Sequence, residues 1–151
     1  ERQGGGEAVI SGVPLAVGSH EVAVRIDDDS PASPGVTRSF VLEVGRARTN
    51  VQVVPPPVVQ AGVPIPVAVR VVAEGHGAPS GTLHVEGGDG ERCSVAAPGG
   101  TCTLEFREAG GRTIRATYEG DGNFEAAAET EVRLEVIPKP RTIHGAGVFF
   151  Q

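Results

Sequence analysis

The chain has 151 residues, with 13 basic and 19 acidic side chains, which give a formal net charge of −6. An acidic balance disfavours nucleic acid as a partner, because binding phosphates requires a basic surface. Apolar residues make up 39% of the sequence, yet it contains no Met or Trp and has 22 Gly and 12 Pro. This composition, in which valine dominates the apolar residues, predicts many short strands joined by tight turns, and no apolar run is long enough to span a membrane.

The first predicted unit covers residues 1–45 and is short of strands for a complete domain. Residues 20–26 and 38–44 alternate apolar and polar side chains, which is typical of half-buried strands. A third short piece is expected around Val9. The side chains predicted to face inward are Val22, Val24, Ile26, Phe40, Leu42 and Val44.

Three adjacent carboxylates, Asp27, Asp28 and Asp29, follow the first of these strands. They repel one another, and a hard cation such as Ca²⁺ would relieve that repulsion. A solvated turn is the other interpretation. Calcium is the only cofactor that the sequence suggests, and no other cofactor is expected.

Residues 46–138 predict a complete sandwich of two β-sheets. Seven strand candidates alternate with turn signals about every ten residues. They cover residues 51–54, 63–71, 81–86, 92–96, 101–106, 112–118 and 129–136. The candidates at 92–96 and 101–106 flank the sequence APGG, which predicts a hairpin.

The two cysteines, Cys93 and Cys102, both fall on the inward face of these two strands. If the turn sets the register, they lie opposite each other within the reach of a disulfide. The alternatives are two buried free thiols or a metal site, although no His or Cys at suitable spacing completes a metal site. A disulfide would indicate a compartment outside the cytoplasm.

A glycine-rich loop follows the inward-facing Tyr118. Gly120 and Gly122 are expected to adopt positive φ, and Asp121 and Asn123 to bond neighbouring backbone N–H groups. Phe124, the next residue, is predicted to fold back on the core. A structural role is the main interpretation, and a calcium site at Asp121 and Asn123 is the alternative.

No catalytic group emerges from the sequence. The four histidines are scattered. A hydrolytic triad needs a serine beside a histidine and an orienting acid, and the sequence contains no nucleophile-elbow motif. The sequence therefore predicts that the protein is not an enzyme.

Residues 139–151 depart from the strand pattern. Two prolines follow the last strand, and the segment closes with Val148, Phe149 and Phe150. An apolar segment of this type pairs readily with an exposed sheet edge. It can act as a donor strand for another subunit, pack on its own molecule, or mark a fragment of a longer chain, and the absence of an initiator Met also suggests a processed form or fragment.

Residues 46–138 resemble the bacterial immunoglobulin-like repeat domains that occur in tandem on surface and secreted proteins. The resemblance rests on GGRTIRATYEGDGNFEAAAETEVRLEV, with AGVPIPVAVRV, APSGTLHVEGG and CSVAAPGGTCTLEF in support. Residues 1–45 are similar to the closing half of an immunoglobulin- or cadherin-like module, in AVISGVPLAVGSHEVAVRIDDD and SFVLEV. The resemblance implies an all-β, immunoglobulin-like sandwich of seven strands preceded by a partial module.

The resemblance also implies a structural role at the cell surface or in a secreted assembly, as a stalk, spacer or filament subunit. The expected partners are neighbouring immunoglobulin-like modules or identical subunits, with strand donation as one mode of assembly. An adhesin or glycan-binding module is the alternative. The absence of Trp and the inward position of the single Tyr weaken it, because glycan recognition uses exposed aromatic side chains.

Overall fold

The computed structural model describes residues 9–27 and 34–141, and these residues are all-β. No helix in the described ranges is long and apolar enough to cross a bilayer. The prediction of the all-β class is confirmed. The strands are β1 (Gly18–Ile26), β2 (Val36–Val44), β3 (Thr49–Val54), β4 (Val59–Gln60), β5 (Pro64–Ala73), β6 (Thr82–Gly87), β7 (Arg92–Ala96), β8 (Gly99–Glu105), β9 (Gly110–Tyr118) and β10 (Ala127–Ile137).

Strands β1 and β2 form an antiparallel hairpin by themselves, with a continuous register from Gly18↔Val44 to Ile26↔Val36. The predicted apolar residues do share one face. That face is not buried, however: Ile26 is 62% exposed and Phe40 is 46% exposed. The expected strand around Val9 is also wrong, because Val9 lies outside the strands and is 81% exposed. The sequence pattern predicted the face correctly and its burial incorrectly.

The remaining strands form two sheets packed face to face. One sheet has five strands in the order β4-β10-β9-β6-β7, and the other has three in the order β3-β5-β8. Every pairing is antiparallel except the short one between β4 and β10, where Val136 pairs with Val59 and Ile137 with Gln60. This sandwich has eight strands where the sequence predicted seven. The additional strand is the two-residue β4, which is too short to show a period of two.

The core lies between the two sheets and consists of alternate residues from each strand. β5 follows the predicted pattern most closely, with Val67 fully buried while Pro66 and Ala68 are exposed. The buried core residues are Val51, Val59, Ala61, Ile65, Val67, Val69, Val71, Leu83, Val85, Cys102, Leu104, Phe106, Ile114, Ala116, Tyr118, Phe124 and Val136. No polar or charged residue is buried in the described part of the chain, so apolar burial and the strand hydrogen bonds stabilise the sandwich.

The predicted hairpin between β7 and β8 is wrong. β7 pairs with β6 in the five-stranded sheet, whereas β8 pairs with β5 in the three-stranded sheet. The APGG segment therefore carries the chain from one sheet to the other. Since β7 and β8 are both edge strands, this connection runs along one side of the sandwich.

Candidate functional site

The loop after β9 is organised by the carboxylate of Asp121. Its Oδ2 accepts hydrogen bonds from the backbone N–H (2.8 Å) and the hydroxyl (2.7 Å) of Ser80. Its Oδ1 accepts from the backbone N–H groups of Asn123 and Phe124, both at 2.8 Å. Burial by itself would raise the pKa of Asp121, but these four bonds outweigh it and lower the pKa to about 2. The ionised carboxylate therefore holds the loop in one conformation.

Tyr118 and Phe124, at the two ends of this loop, anchor it in the core. Tyr118 is 1% exposed, and its hydroxyl donates a hydrogen bond to the carbonyl oxygen of Ser80 at 2.7 Å. Burial, together with the nearby Asp121 carboxylate, raises the pKa of the Tyr118 phenol, because both disfavour a phenolate. Phe124 is 5% exposed, and its ring lies so close to Gly77 that a Cβ there would be 3.1 Å from Cζ.

The two loop glycines have different roles. Gly120 has a φ of +84°, and a Cβ there would lie 2.7 Å from the backbone nitrogen of Ala126. Gly122 is not among the residues with positive φ, and a Cβ there would meet no atom within 4 Å. The expectation of positive φ is therefore correct for Gly120 and wrong for Gly122.

The geometry of this loop does not suit the alternative of a calcium site. Both oxygens of Asp121 face hydrogen-bond donors, and donors repel a cation at the same position. Asn123 does not bond a neighbouring N–H through its side chain. Its Oδ1 accepts instead from the backbone N–H of Val17, at 3.4 Å, in the segment that leads into β1. The loop thus contacts the hairpin unit.

The same loop holds the connection between the hairpin and the sandwich. The backbone N–H of Ala47 donates to the carbonyl oxygen of Asn123, and the N–H of Glu125 donates to the carbonyl oxygen of Ala47, both at 2.9 Å. The hydroxyl of Thr49 donates to the carbonyl oxygen of Glu125 at 2.8 Å. On the other side, the N–H of Glu74 donates to the carbonyl oxygen of Arg48 at 2.9 Å. We call this set of contacts the junction.

A groove of about 410 Å³ lies at the junction. Val13, Leu15 and Val44 of the hairpin unit line one wall, and His76 and Phe124 of the sandwich line the other. Leu15 is 91% exposed, so this wall of the groove is open to solvent. This groove was not predictable from the sequence, because its two walls come from segments far apart in the chain.

Cys93 and Cys102 are joined by a disulfide, with their Cα atoms 6.0 Å apart. The sequence predicted that this disulfide lies across a hairpin, and that part of the prediction is wrong. Cys93 lies on β7 and Cys102 on β8, so the bond ties the two sheets together at their edges. On the opposite side of the sandwich, the hydroxyl of Thr130 in β10 donates to the carbonyl oxygen of Val51 in β3 at 3.0 Å. Covalent and hydrogen bonds thus join the sheets on both sides.

Only one of the three adjacent aspartates, Asp27, lies within the described residues. Its Oδ1 accepts from Arg25 Nε at 2.9 Å, and both side chains are more than half exposed. Asp28 and Asp29 lie outside the described residues, so the calcium site stays a prediction. In residues 9–27 and 34–141, no group of three or more His, Cys, Asp or Glu side chains is placed to hold a metal ion. Val148, Phe149 and Phe150 also lie outside the described residues.

The structure brings together one polar group that the sequence did not reveal. His84 Nδ1 lies 3.2 Å from Ser94 Oγ, and His84 Nε2 lies 3.4 Å from Glu119 Oε1. The three residue types are those of a hydrolytic triad. They lie on the outer face of the five-stranded sheet, where the side chain of Glu119 is 74% exposed. Water therefore screens the charges of this group. An enclosed catalytic site excludes water and so strengthens its electrostatic interactions, and this group lacks that advantage.

A comparison of the chain with protein-family models gave no match, and a comparison with curated proteins gave none either. The resemblance to bacterial immunoglobulin-like repeats therefore remains an expectation from the sequence.

Proposed function

We propose that this chain is a structural, non-catalytic module of an extracellular assembly, an immunoglobulin-like spacer that holds its neighbour in a fixed position. The junction carries the proposal. A flexible linker would leave its backbone groups to water, whereas here residues 47–49 form hydrogen bonds to the loop after β9 and to Glu74. A spacer requires this property, because a mobile connection transmits neither orientation nor distance.

The composition of the sandwich supports the same role. Its core is apolar throughout the described residues, and its two sheets are joined at both sides. A disulfide is compatible with a protein outside the cytoplasm, where oxidising conditions preserve it. The resemblance of residues 46–138 to bacterial surface repeats agrees with this location.

The adhesin or glycan-binding alternative has less support. Glycan sites use exposed aromatic side chains, and the single tyrosine of this chain is 1% exposed with its hydroxyl bonded to Ser80. The groove at the junction is mainly apolar on its hairpin side. Strand donation by residues 148–150 stays a second mode of assembly, and the truncation described below tests it.

Measuring ¹⁵N relaxation on the labelled chain tests the spacer role. We expect the amides of β1 and β2 to report the same rotational diffusion tensor as those of β5 and β9. The variant Asp121→Asn should uncouple the two sets, while Glu119→Gln, a change of the adjacent exposed carboxylate, should not. Independent tumbling of the hairpin in the unmodified chain would rule out a spacer of fixed geometry.

A further inference from the structure

The hairpin carries an apolar face whose central and distal side chains are exposed among the described residues. We define the hairpin face by the side chains that project to one side of the register, which are His20, Val22, Val24, Ile26, Val36, Arg38, Phe40, Leu42 and Val44. Phe40 and Leu42, near its centre, are 46% and 47% exposed. The other face is more polar, with Glu21, Arg25 and Glu43 among its residues. A two-stranded sheet of this kind is marginal in water until a second layer covers it.

The apolar exposure of the molecule is concentrated in this unit. Nine of the fourteen large hydrophobic side chains exposed in the described residues belong to residues 9–44, namely Val9, Ile10, Val13, Leu15, Ile26, Val36, Phe40, Val41 and Leu42. Four of these nine, Ile26, Val36, Phe40 and Leu42, lie together on the hairpin face, whereas Val41 projects from the opposite face and the other four precede β1. A contiguous apolar patch on a folded protein marks an interaction surface. The hairpin face is therefore the candidate for a contact with another molecule.

The two outer faces of the sandwich differ strongly in charge. On the five-stranded sheet, seven charged side chains point outward, namely Glu86, Arg92, Arg115, Glu129, Glu131, Arg133 and Glu135. The three-stranded outer face is formed by Asn50, Gln52, Val54, Pro64, Pro66, Ala68, Arg70, Val72, Thr101, Thr103 and Glu105. Only two of these side chains are charged, and small or apolar residues predominate.

Exposure and hydrogen bonding make the three-stranded outer face suitable for sheet packing. Val54 is 64% exposed and Val72 is 38% exposed. Arg70 Nε already donates to Gln52 Oε1 at 2.7 Å, so one of the two charges has a polar partner within the face. The desolvation cost of covering this face is therefore lower than that of covering the five-stranded one, where several ion pairs would lose water.

Charge decides between the two surfaces that a second copy could offer to the hairpin face. The hairpin face contains Arg38 and His20 and no carboxylate. Two hairpin faces packed on each other would place the Arg38 guanidinium groups of both copies in one interface. The three-stranded outer face carries one guanidinium, Arg70, which is bonded to Gln52, and one carboxylate, Glu105, which can pair with Arg38. Opposite charges across an interface favour the correct pairing and disfavour the wrong one.

We infer that the hairpin face of one copy packs on the three-stranded outer face of a second copy, as one sheet on another. The inference rests on the proposed structural role and names its partner. Because two different surfaces meet, the contact is heterologous, and each copy can bind one neighbour on each side. A nine-residue, two-stranded hairpin covers about 10 by 30 Å, or about 300 Å² on each side. That is smaller than a standard stable interface, so we expect association in the upper micromolar range.

Sedimentation velocity of the unmodified chain, from about ten micromolar to about one millimolar, tests this inference. The weight-average sedimentation coefficient should rise with concentration and pass the value of a dimer. A plateau at the dimer would indicate two hairpin faces in symmetric contact and would overturn the inference. A coefficient independent of concentration would also overturn it.

Matched variants identify the two surfaces. Phe40→Asp on the hairpin face and Thr103→Lys on the three-stranded outer face should each abolish association, because the lysine would face Arg38 of the hairpin. Val41→Asp, on the opposite face of the same hairpin strand, and Thr113→Lys, on the five-stranded sheet, should leave it unchanged. Far-UV circular dichroism confirms that each variant is folded. If Phe40→Asp disrupts the hairpin, Leu42→Thr provides a milder change of the same face.

Mixing the two inactive variants gives the sharpest test. The Phe40→Asp chain retains its sheet face, and the Thr103→Lys chain retains its hairpin face. An equimolar mixture should therefore restore association, whereas a symmetric contact gives no rescue. A chain truncated after Arg141 should associate as the full chain does, and loss of association on truncation would assign the contact to strand donation instead. The ¹⁵N relaxation experiment tests the spacer role, and the sedimentation experiments test the self-contact. Either proposal can therefore be refuted while the other stands.

Discussion

The carboxylate of Asp121 provides the most direct test of how the junction is held. In the variant Asp121→Asn, one of the two side-chain oxygens becomes an NH₂ group. That group cannot accept a hydrogen bond, so either the two bonds from Ser80 or the two from Asn123 and Phe124 are lost. The donors left behind then face another donor. We expect a less stable loop and a weaker junction.

The magnitude follows from the proton affinity of the carboxyl group. A lowering of the pKa from 3.8 to about 2 corresponds to about 2.5 kcal/mol, since each tenfold change in proton affinity is worth about 1.4 kcal/mol. Asp121 is partly exposed, and solvent screening reduces this figure. We therefore expect the variant to lose about 1.5 to 2 kcal/mol of unfolding free energy at pH 7.

The dependence on pH has a definite sign. The folded carboxyl binds a proton less readily than the unfolded one, because its pKa is lowered. The stabilisation is therefore complete above the unfolded pKa of 3.8 and is lost as the pH falls through about 2. The difference in stability between the unmodified chain and Asp121→Asn should shrink over that same range.

Urea denaturation followed by circular dichroism, at several values from pH 2 to pH 7, measures both effects. Glu119→Gln is the control, because its carboxylate is 74% exposed and, within residues 9–27 and 34–141, its ion pair is with the half-exposed His84. It should change the unfolding free energy by less than about 0.5 kcal/mol. Hydrogen exchange at the amides of Ala47 and Glu125 should accelerate in Asp121→Asn. Equal stability of Asp121→Asn and the unmodified chain at pH 7 would refute the role of this carboxylate.

Three further predictions concern single features. Replacing Cys93 and Cys102 together by serine should cost about 2.5 kcal/mol in urea denaturation, in line with the short loop that the disulfide closes, and the oxidised, denatured chain should contain no titratable thiol; two thiols would contradict the disulfide. Gly120→Ala should cost about 2 kcal/mol or more in thermal unfolding because of its positive φ and close backbone contact, whereas Gly122→Ala should stay within about 0.5 kcal/mol; equal effects would disprove the distinction. Ser94→Ala should leave the rate of p-nitrophenyl acetate hydrolysis unchanged, and a loss of activity would show that the polar group around it is catalytic.

Sequence reasoning identified the elements of this fold better than their partners. The alternation of β5 predicted its buried residues, such as Val67 and Val69, because a period of two is a local property of a strand. The partner of β7 could not be deduced in this way. A short Pro-Gly turn fits a hairpin and also fits a crossing between sheets, and only the sheet order separates them.

The candidate site shows the same division. The loop around Asp121 was predictable, since its bonds to Asn123 and Phe124 span two and three residues. Its bonds to Ser80, 41 residues away, were not. The group of His84, Ser94 and Glu119 forms because β6 lies between β7 and β9, so the spacing of these residues in the sequence does not predict it. The burial of the hairpin face was predicted wrongly because alternation specifies which residues share a face and not what covers it.

The junction also has a consequence for the order in which the chain folds. Thr49 and Glu125, which it joins, are 76 residues apart. During synthesis, the hairpin and its connection emerge well before the loop that holds them. Contacts of such long sequence separation form late and slow the overall reaction. We therefore expect a nascent chain in which the apolar hairpin is present before its position is defined, and this interval is when a chaperone or a neighbouring chain has access to it.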